Sequence, residues 1–507
     1  MIARTRSQHF ARSLTAGYLF IGANVAYTVF SIPLALRYLG KEEFGLWALA
    51  LQISSYLLLL DLGVTSAISR FLADSKDNPA APVYAAVFRA GCMVLTVQGL
   101  IVAASGVGFS LFAPFLFGVP ETLAPDFRNI LVILSVISGL SIATRIVGAP
   151  LWAYQRLDAN YLMGIINLLS SLLFLWVGFA AGWGIYSFAV AGVPALIVCP
   201  LISFLICYRN RYYPTKWFAG CVDGALIRRI FCFGKDVLLM TLGSQIVSAS
   251  QIMILSRFAG LEAAATFAIG TKLFSLGQQF SGRVFESSAP SLTEIYVRGE
   301  ESLFRKRFRE ILGLSGFLAV ISALVIVCAN SKIVSVWTAG KITWEPVADL
   351  LLALLLVFTT ATRCMVGLFG VIAKLQPVRA VYFLEACVFI ALAIPASQRF
   401  GTAGILTASL LAHAAVTAVL SARAAIPHAG DDGGFLRMVL VSTGIVILVF
   451  LAGPAWIGTT KITMYSVVVA AAGLIIGAAM AWWLLLASET RMRMLAKFAG
   501  LPNFVEK

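Results

Sequence analysis

Charge is what this sequence has least of: only 12% of its 507 residues are Asp, Glu, Lys or Arg, against roughly 25% in a soluble domain. At the same time 60% are hydrophobic and the mean hydropathy is +0.92. A water-soluble fold could not hide that much apolar surface without large exposed patches, so the solvent is lipid. Histidine is nearly missing, with His9, His413 and His428 isolated from one another and only His413 inside an apolar run. The eight cysteines form no CxxC and have no histidine at ligand spacing, so they read as small packing residues. Neither a metal nor a cofactor is expected. No GxxxxGK[ST] occurs, because AGKIT and FGKDV lack its leading glycine and spacing, and ATP hydrolysis by this chain is excluded. HExxH and a nucleophile elbow are likewise missing. The longest connection expected outside the cell, near residues 113–127, is short and apolar, which weighs against a membrane glycan polymerase or ligase.

What the sequence does have is a succession of apolar runs, each near the ~20 residues a membrane span needs. They fall at 14–36, 44–69, 83–112, 128–153, 161–181 and 184–207, then at 234–257, 263–288, 311–337, 346–373, 378–397 and 401–423, and finally at 436–459 and 463–488. The expectation is an all-α integral membrane protein of about fourteen transmembrane helices. Arg4, Arg6 and Arg12 precede the first run as in a signal peptide, but the run from Leu14 to Leu36 exceeds a signal core and reads as an uncleaved helix.

The net charge of +15 belongs to topology rather than to nucleic acid, since the cations cluster between the apolar runs. With the N-terminus in the cytoplasm, 26 of the 38 Lys and Arg fall on the cytoplasmic side and eight on the other. Both termini are then cytoplasmic. Four cations remain within the runs: Arg145, Lys272, Arg283 and Arg363.

LRYLGKEEFGLWAL from Leu36 also matches SRFAGLEAAATFAI from Ser256 at an offset of 220, pairing Arg37 with Arg257, Gly40 with Gly260 and Glu42 with Glu262. Six intervening helices preserve orientation, so the repeat is parallel. The expected organisation is a six-helix lobe at 1–210, a basic cytoplasmic linker at 211–233, a second six-helix lobe at 234–424, two additional helices within 436–488, and a basic cytoplasmic tail at 489–507.

The eighth run carries the strongest polar pattern, with Lys272, Ser275, Gln279, Arg283 and Glu286 on one face at three- and four-residue steps. A charge at the bilayer centre costs at least ~2.5–3.5 kcal/mol, so this face should meet water or a partner. Arg283 and Glu286 also suit a simple salt bridge. By the repeat, the second run holds the equivalent stripe, including Gln52, Ser55 and Tyr56. Asp61 is near enough to Arg70 for a structural pair, or it serves coupling. Arg145 and Arg363 lie in corresponding helices among small residues that suit close packing or a cavity wall. Glu385 either neutralises a neighbour or titrates. Buried cations outnumber buried acids, which suits phosphate, bound bidentately by Arg and as a point charge by Lys.

RYLGKEEFGLWALALQISSYLLLLDLGVTSAISRFLA resembles the N-terminal signature of bacterial polysaccharide exporters, the Wzx-like oligosaccharide flippases, and LIRRIFCFGKDVLLMTLGSQI resembles their entry into the second lobe. The two-lobe plan is similar to the wider multidrug/oligosaccharidyl-lipid/polysaccharide (MOP) superfamily, which includes lipid II flippases and MATE drug exporters. The resemblance implies a MATE-like fold in the bacterial inner membrane. It also implies alternating-access transfer of an undecaprenyl-diphosphate-linked oligosaccharide to the periplasmic leaflet for surface polysaccharide synthesis. Lys272, Arg283, Arg145 and Arg363 stand by location where such proteins carry functional cations. Partners implied are the lipid-linked substrate, membrane lipids, a polysaccharide polymerase and glycosyltransferases. The first helix offers Gly22, Ala23 and Asn24 where lipid II flippases place an Arg-Asp pair, which disfavours lipid II. A MATE-type exporter of organic cations, the other transport reading, would line its cavity with acids.

Overall fold

The computed structural model describes residues 2–498 apart from 77, 155, 219, 373–375, 431–432 and 453–463. Every regular element among the described residues is helical, with no strand. Lipid explains this outcome, since a helix satisfies its own backbone polar groups where no water can. Two compact units emerge, Met1–Ala265 and Thr266–Lys507.

The first unit contains α1 (Ile2–Tyr38), α2 (Lys41–Leu57), α3 (Val64–Asp74), α4 (Pro82–Phe117), α5 (Ala124–Ala153), α6 (Leu157–Ala180), the short α7 (Tyr186–Val190), α8 (Val193–Arg209) and α9 (Gly224–Phe258). Its core is the α4–α5 pair. A Cβ built on Gly99 or on Gly139 would lie 2.4 Å from the other's carbonyl oxygen, so only glycine lets these backbones touch. The linker between α8 and α9 docks through aromatics rather than charge. Tyr212 stacks on Tyr154 with ring centroids 4.0 Å apart, and the Tyr213 hydroxyl donates to the Val147 carbonyl at 2.9 Å. Burial pushes the Tyr213 phenol well above its ordinary pKa, so it remains a donor there.

The run expected as one helix at 44–69 is broken. A 3-10 turn, Leu58–Asp61, follows α2, and Leu62 (φ 52) and Gly63 (φ 70) are left-handed before α3 starts. The Gln98 side-chain amide donates to the Asp61 carbonyl at 3.2 Å, replacing a lost helical bond. Non-helical backbone at membrane depth is tolerated where protein or a cavity supplies such partners.

The second unit contains α11 (Lys272–Val297), α12 (Glu301–Trp337), α13 (Pro346–Val371), α14 (Gln376–Ala412), α15 (Val419–Ala429), α16 (Gly434–Ala452), α17 (Met464–Leu485) and α18 (Ser488–Phe498), with α10 (Leu261–Gly270) crossing the boundary between units. The central α12 packs against α11, α13, α16 and α17. The expected 263–288 helix is interrupted at Thr271, between α10 and α11. Gly401 (φ 52, ψ −126) kinks α14 where two separate runs were expected, and a π-helical turn, His413–Ala418, joins α14 to α15. Part of the expected 436–459 and 463–488 helices lies outside the described residues.

Eleven helical stretches among the described residues are long and apolar enough to cross a membrane. One of them, Val378–Ala429, holds two of the expected spans. Helix α9 and the α10–α11 pair, expected as the seventh and eighth spans, are helical but not among the eleven. The first unit runs through α9, which packs on α2, α3 and α4, whereas the sequence repeat puts that helix at the head of the second half.

Candidate substrate site

Because α3 restarts the chain after the Leu62–Gly63 break, Thr65, Ser66, Ser69 and Arg70 share one of its faces. On α5, Ser141, Thr144, Arg145 and Gly148 recur at helical spacing. Packing of α3 on α5 brings these faces together, and with Asn160 of α6 and Ser203 of α8 they line a cavity of about 680 Å³. Two arginines and several hydroxyls line it, and among the described residues no acid does. Arg70, Ala73, Trp152 and Asn160 place the cavity toward the end of the unit that carries the α3–α4 and α5–α6 connections.

Arg145 of this lining pairs with Asp61, 3.7 Å away, the Asp61 and Arg145 side chains being 13% and 33% exposed. Thr65 Oγ1 donates to the same Asp61 oxygen at 2.6 Å. The pair of Asp61 with Arg70 raised by the sequence does not form, because the backbone break turns Asp61 toward α5. Arg70 pairs instead with Asp74, 3.7 Å away and one turn further along α3. At 3.7 Å the Arg145 contact is an ion pair without a short hydrogen bond, which leaves guanidinium N–H groups for another acceptor.

The stripe on α2 is engaged by α9. Ser55 Oγ donates to the Gln52 carbonyl at 2.6 Å and accepts from Gln245 Nε2 at 3.0 Å. Tyr56 and Ser250 share a hydroxyl hydrogen bond of 2.6 Å one turn away.

In the second unit Glu286 bridges two arginines, with Arg363 Nη2 at 2.9 Å and Arg283 Nη1 at 3.3 Å. Both guanidiniums thus meet one half-exposed carboxylate. A Cβ on Gly282 would come within 2.6 Å of Arg363 Nη1, so a glycine is what allows the arginine to cross α11 there. Lys272 lies at the first turn of α11, partly buried, and makes no ion pair or hydrogen bond among the described residues. Ser275 and Gln279 bond to the carbonyls one turn earlier in their own helix. Glu385 is buried and holds His413, its Oε1 lying 2.6 Å from Nδ1. His413, isolated in the sequence, is therefore half of a buried pair. Among the described residues no group of His, Cys, Asp and Glu could hold a metal.

The structure thus joins Arg145 to Asp61, joins Arg283 to Arg363 through Glu286, and leaves Lys272 apart from both. Sequence reasoning missed Arg70, Ser69, Asn160 and Ser203 as cavity residues. The spacing of Thr65, Ser66, Ser69 and Arg70 was the available signal, obscured by treating 44–69 as one straight helix.

Apolar helices closing around polar, arginine-bearing interiors define a multi-pass membrane protein. The family described as polysaccharide biosynthesis protein matches residues 16–296, and the chain belongs to that family. An uncharacterized membrane protein of Bacillus subtilis (strain 168), EpsK, is 22% identical over 339 residues, covering 65% of this chain and 64% of that protein. The match therefore spans less than two thirds of that relative's length. Among solved structures, an inward-facing MATE transporter of the MOP superfamily superposes with a TM-score of 0.72 at 11% identity, covering 83% of this chain and 98% of that one. The lipid II flippase MurJ in an inward closed conformation gives 0.66 at 14% identity, covering 92% and 99%. A MOP superfamily transporter from Pyrococcus furiosus, described as having a binding pocket of reverse polarity, gives 0.58 at 14% identity, covering 83% and 95%. At these identities the likeness establishes the fold.

Proposed function

We propose that this protein is a flippase that moves a lipid-linked oligosaccharide, carried on a polyprenyl diphosphate, from the cytoplasmic to the periplasmic leaflet of a bacterial inner membrane by alternating access, for surface polysaccharide synthesis. The observation that carries this reading is the first-unit cavity, lined among the described residues by Arg70, Arg145 and hydroxyl groups without an acid. A diphosphate entering a low-dielectric interior loses hydration and needs cations and donors in exchange. The charge pattern assigns the Arg70 and Arg156 ends of these helices to the cytoplasm, where such a substrate is loaded. An organic cation would meet two like charges in the same place, which disfavours the drug-export reading.

The test is direct. Proteoliposomes carrying the protein and a fluorescent polyprenyl-diphosphate oligosaccharide should make the glycan accessible to an impermeant glycosidase faster than protein-free vesicles do. Equal rates, or transport of organic cations in its place, would overturn the proposal.

Topology gives a second prediction. In a background with the exposed Cys221, Cys232 and Cys387 changed to Ser, Lys341→Cys should react with an impermeant thiol reagent in intact cells, and Arg211→Cys should react only after lysis. Labelling of Arg211→Cys from outside would invert the orientation.

A further inference from the structure

A second cavity, of about 540 Å³, lies where the start of α12, the start of α16, the end of α17 and the start of α18 converge. Four cations line it, Lys306, Arg309, Arg437 and Arg491, with two acids, Glu310 and Glu489. Both acids are already engaged: Glu489 by Lys306 at 2.9 Å, and Glu310 by Arg307 at 2.8 Å. The three arginines pair with no carboxylate among the described residues and bond backbone carbonyls. Arg437 reaches Leu484 at 2.8 Å, Arg491 reaches Trp483 at 3.2 Å, and Arg309 reaches Arg305 at 3.4 Å. Capping the last carbonyls of α17 uses one N–H of Arg437 and one of Arg491, out of five on each guanidinium. The remaining donors share one basin with an excess of positive charge.

The surroundings identify the ligand's other half. Trp483, 67% exposed, sits with the Arg491 guanidinium 4.3 Å from its ring centroid, an indole and cation arranged as at a membrane interface. Helix α18 is amphipathic and directs Met492 and Leu495, 62% and 52% exposed, away from the protein beside that basin. Short basic helices of this kind lie in the headgroup layer with their apolar side chains in the acyl region.

We propose that this basin binds the phosphodiester headgroup of an anionic membrane phospholipid, with the arginines on the phosphate and Trp483, Met492 and Leu495 against the acyl chains. Basic pockets between transmembrane helices are suited to that chemistry. Such a lipid would tie α18 to α12 and α16. The site lies wholly within the second unit, so it stands whether or not the chain transports a glycan.

The experiment uses the full-length protein, purified and delipidated in neutral detergent, with its thermal melting followed as phosphatidylglycerol, phosphatidylcholine or inorganic phosphate is added. Phosphatidylglycerol should raise the melting temperature saturably, and phosphatidylcholine should not. Inorganic phosphate at millimolar concentration should neither reproduce nor compete away the shift. The triple variant Arg309→Gln, Arg437→Gln, Arg491→Gln should lose the shift, and the corresponding triple Lys variant should keep most of it. If the triple Gln variant fails to fold, Arg309→Gln alone, an exposed residue that caps no helix end, should weaken the apparent phosphatidylglycerol affinity about fivefold. An equal response to phosphatidylcholine, an undiminished shift in the Gln variants, or a shift that phosphate reproduces or competes away would each overturn the lipid site, the last assigning the basin to a soluble anion.

Discussion

Changing Arg145 to Gln is expected to cut translocation of the diphosphate-linked glycan by roughly ten- to a hundredfold, while the protein still inserts at near-normal abundance. The magnitude follows from the bond removed. A hydrogen bond to a charged group contributes about 1.5–3 kcal/mol, and each ~1.4 kcal/mol is tenfold in an equilibrium. The carboxylate partner of Arg145 sits at 3.7 Å, too far for a strong hydrogen bond, so the arginine's donors are available to phosphate. Arg145→Lys keeps the charge and loses the bidentate fork, so it should retain a fraction of the activity. Arg70 pairs only at 3.7 Å with an exposed Asp74, and adding Arg70→Gln to Arg145→Gln should abolish transport.

A purely structural Asp61–Arg145 pair makes the opposite forecast. Arg145→Gln would then lower abundance, and the double variant with Asp61→Asn would restore both abundance and export. Measuring export per molecule, with abundance read separately, distinguishes the two. Normal export by the Arg70→Gln, Arg145→Gln double variant would remove the cavity from the mechanism.

How much of this was visible beforehand depends on the range of the interaction. Helix content, membrane residence and the basic character of the connections are local properties of composition and spacing, and the eleven long apolar helices follow from them. The Arg283–Glu286 contact is equally local, three residues apart on one helix. Arg363 joining that carboxylate from 77 residues away was not legible, because it depends on α11 and α13 packing with Gly282 between them. The helix break at Leu62–Gly63 hid in LLLLDLGVTSAISR because apolarity runs straight through it, and hydropathy does not sense a left-handed residue. With that break unseen, the polar face of α3 could not be aimed at α5. The α2 stripe was read through the internal repeat, and a repeat cannot say whether a polar face meets water or the hydroxyl and amide groups of α9. The tyrosines and tryptophan of the 211–233 linker were overlooked for a related reason: its basic residues dominate the pattern, while its aromatics do the docking.

Substituting His413 with Ala is expected to destabilise the protein by about 3 kcal/mol or more, the range for removing one partner of a buried charged pair. In the structure Glu385 is 2% exposed and His413 is 9% exposed. Every polar atom of the pair is engaged. Thr417 Oγ1 donates to Glu385 Oε2 at 2.6 Å, Glu385 Oε1 meets His413 Nδ1 at 2.6 Å, and His413 Nε2 meets Thr362 Oγ1 at 2.7 Å. Thr362 spends its own hydroxyl proton on the Phe358 carbonyl at 2.9 Å, so Nε2 must be the donor to it. The Nδ1–Oε1 contact then contains one proton, whether as imidazolium with carboxylate or as neutral imidazole with carboxylic acid. The π-helical turn His413–Ala418 carries both His413 and Thr417, the two residues of this helix that reach Glu385. With Ala at 413, Glu385 loses that partner and remains in an apolar core. Glu385→Gln should be far milder, because the amide nitrogen can donate to Nδ1 and the amide oxygen can still accept from Thr417. Thermal melting of the purified variants decides the matter: the expected order is a severe loss for His413→Ala and a small one for Glu385→Gln. Replacing both residues by leucine should recover part of what His413→Ala loses, since no buried charge is then stranded. A melting temperature for His413→Ala equal to that of the unmodified protein would mean that the network carries no stability, and that the π turn is held by packing alone.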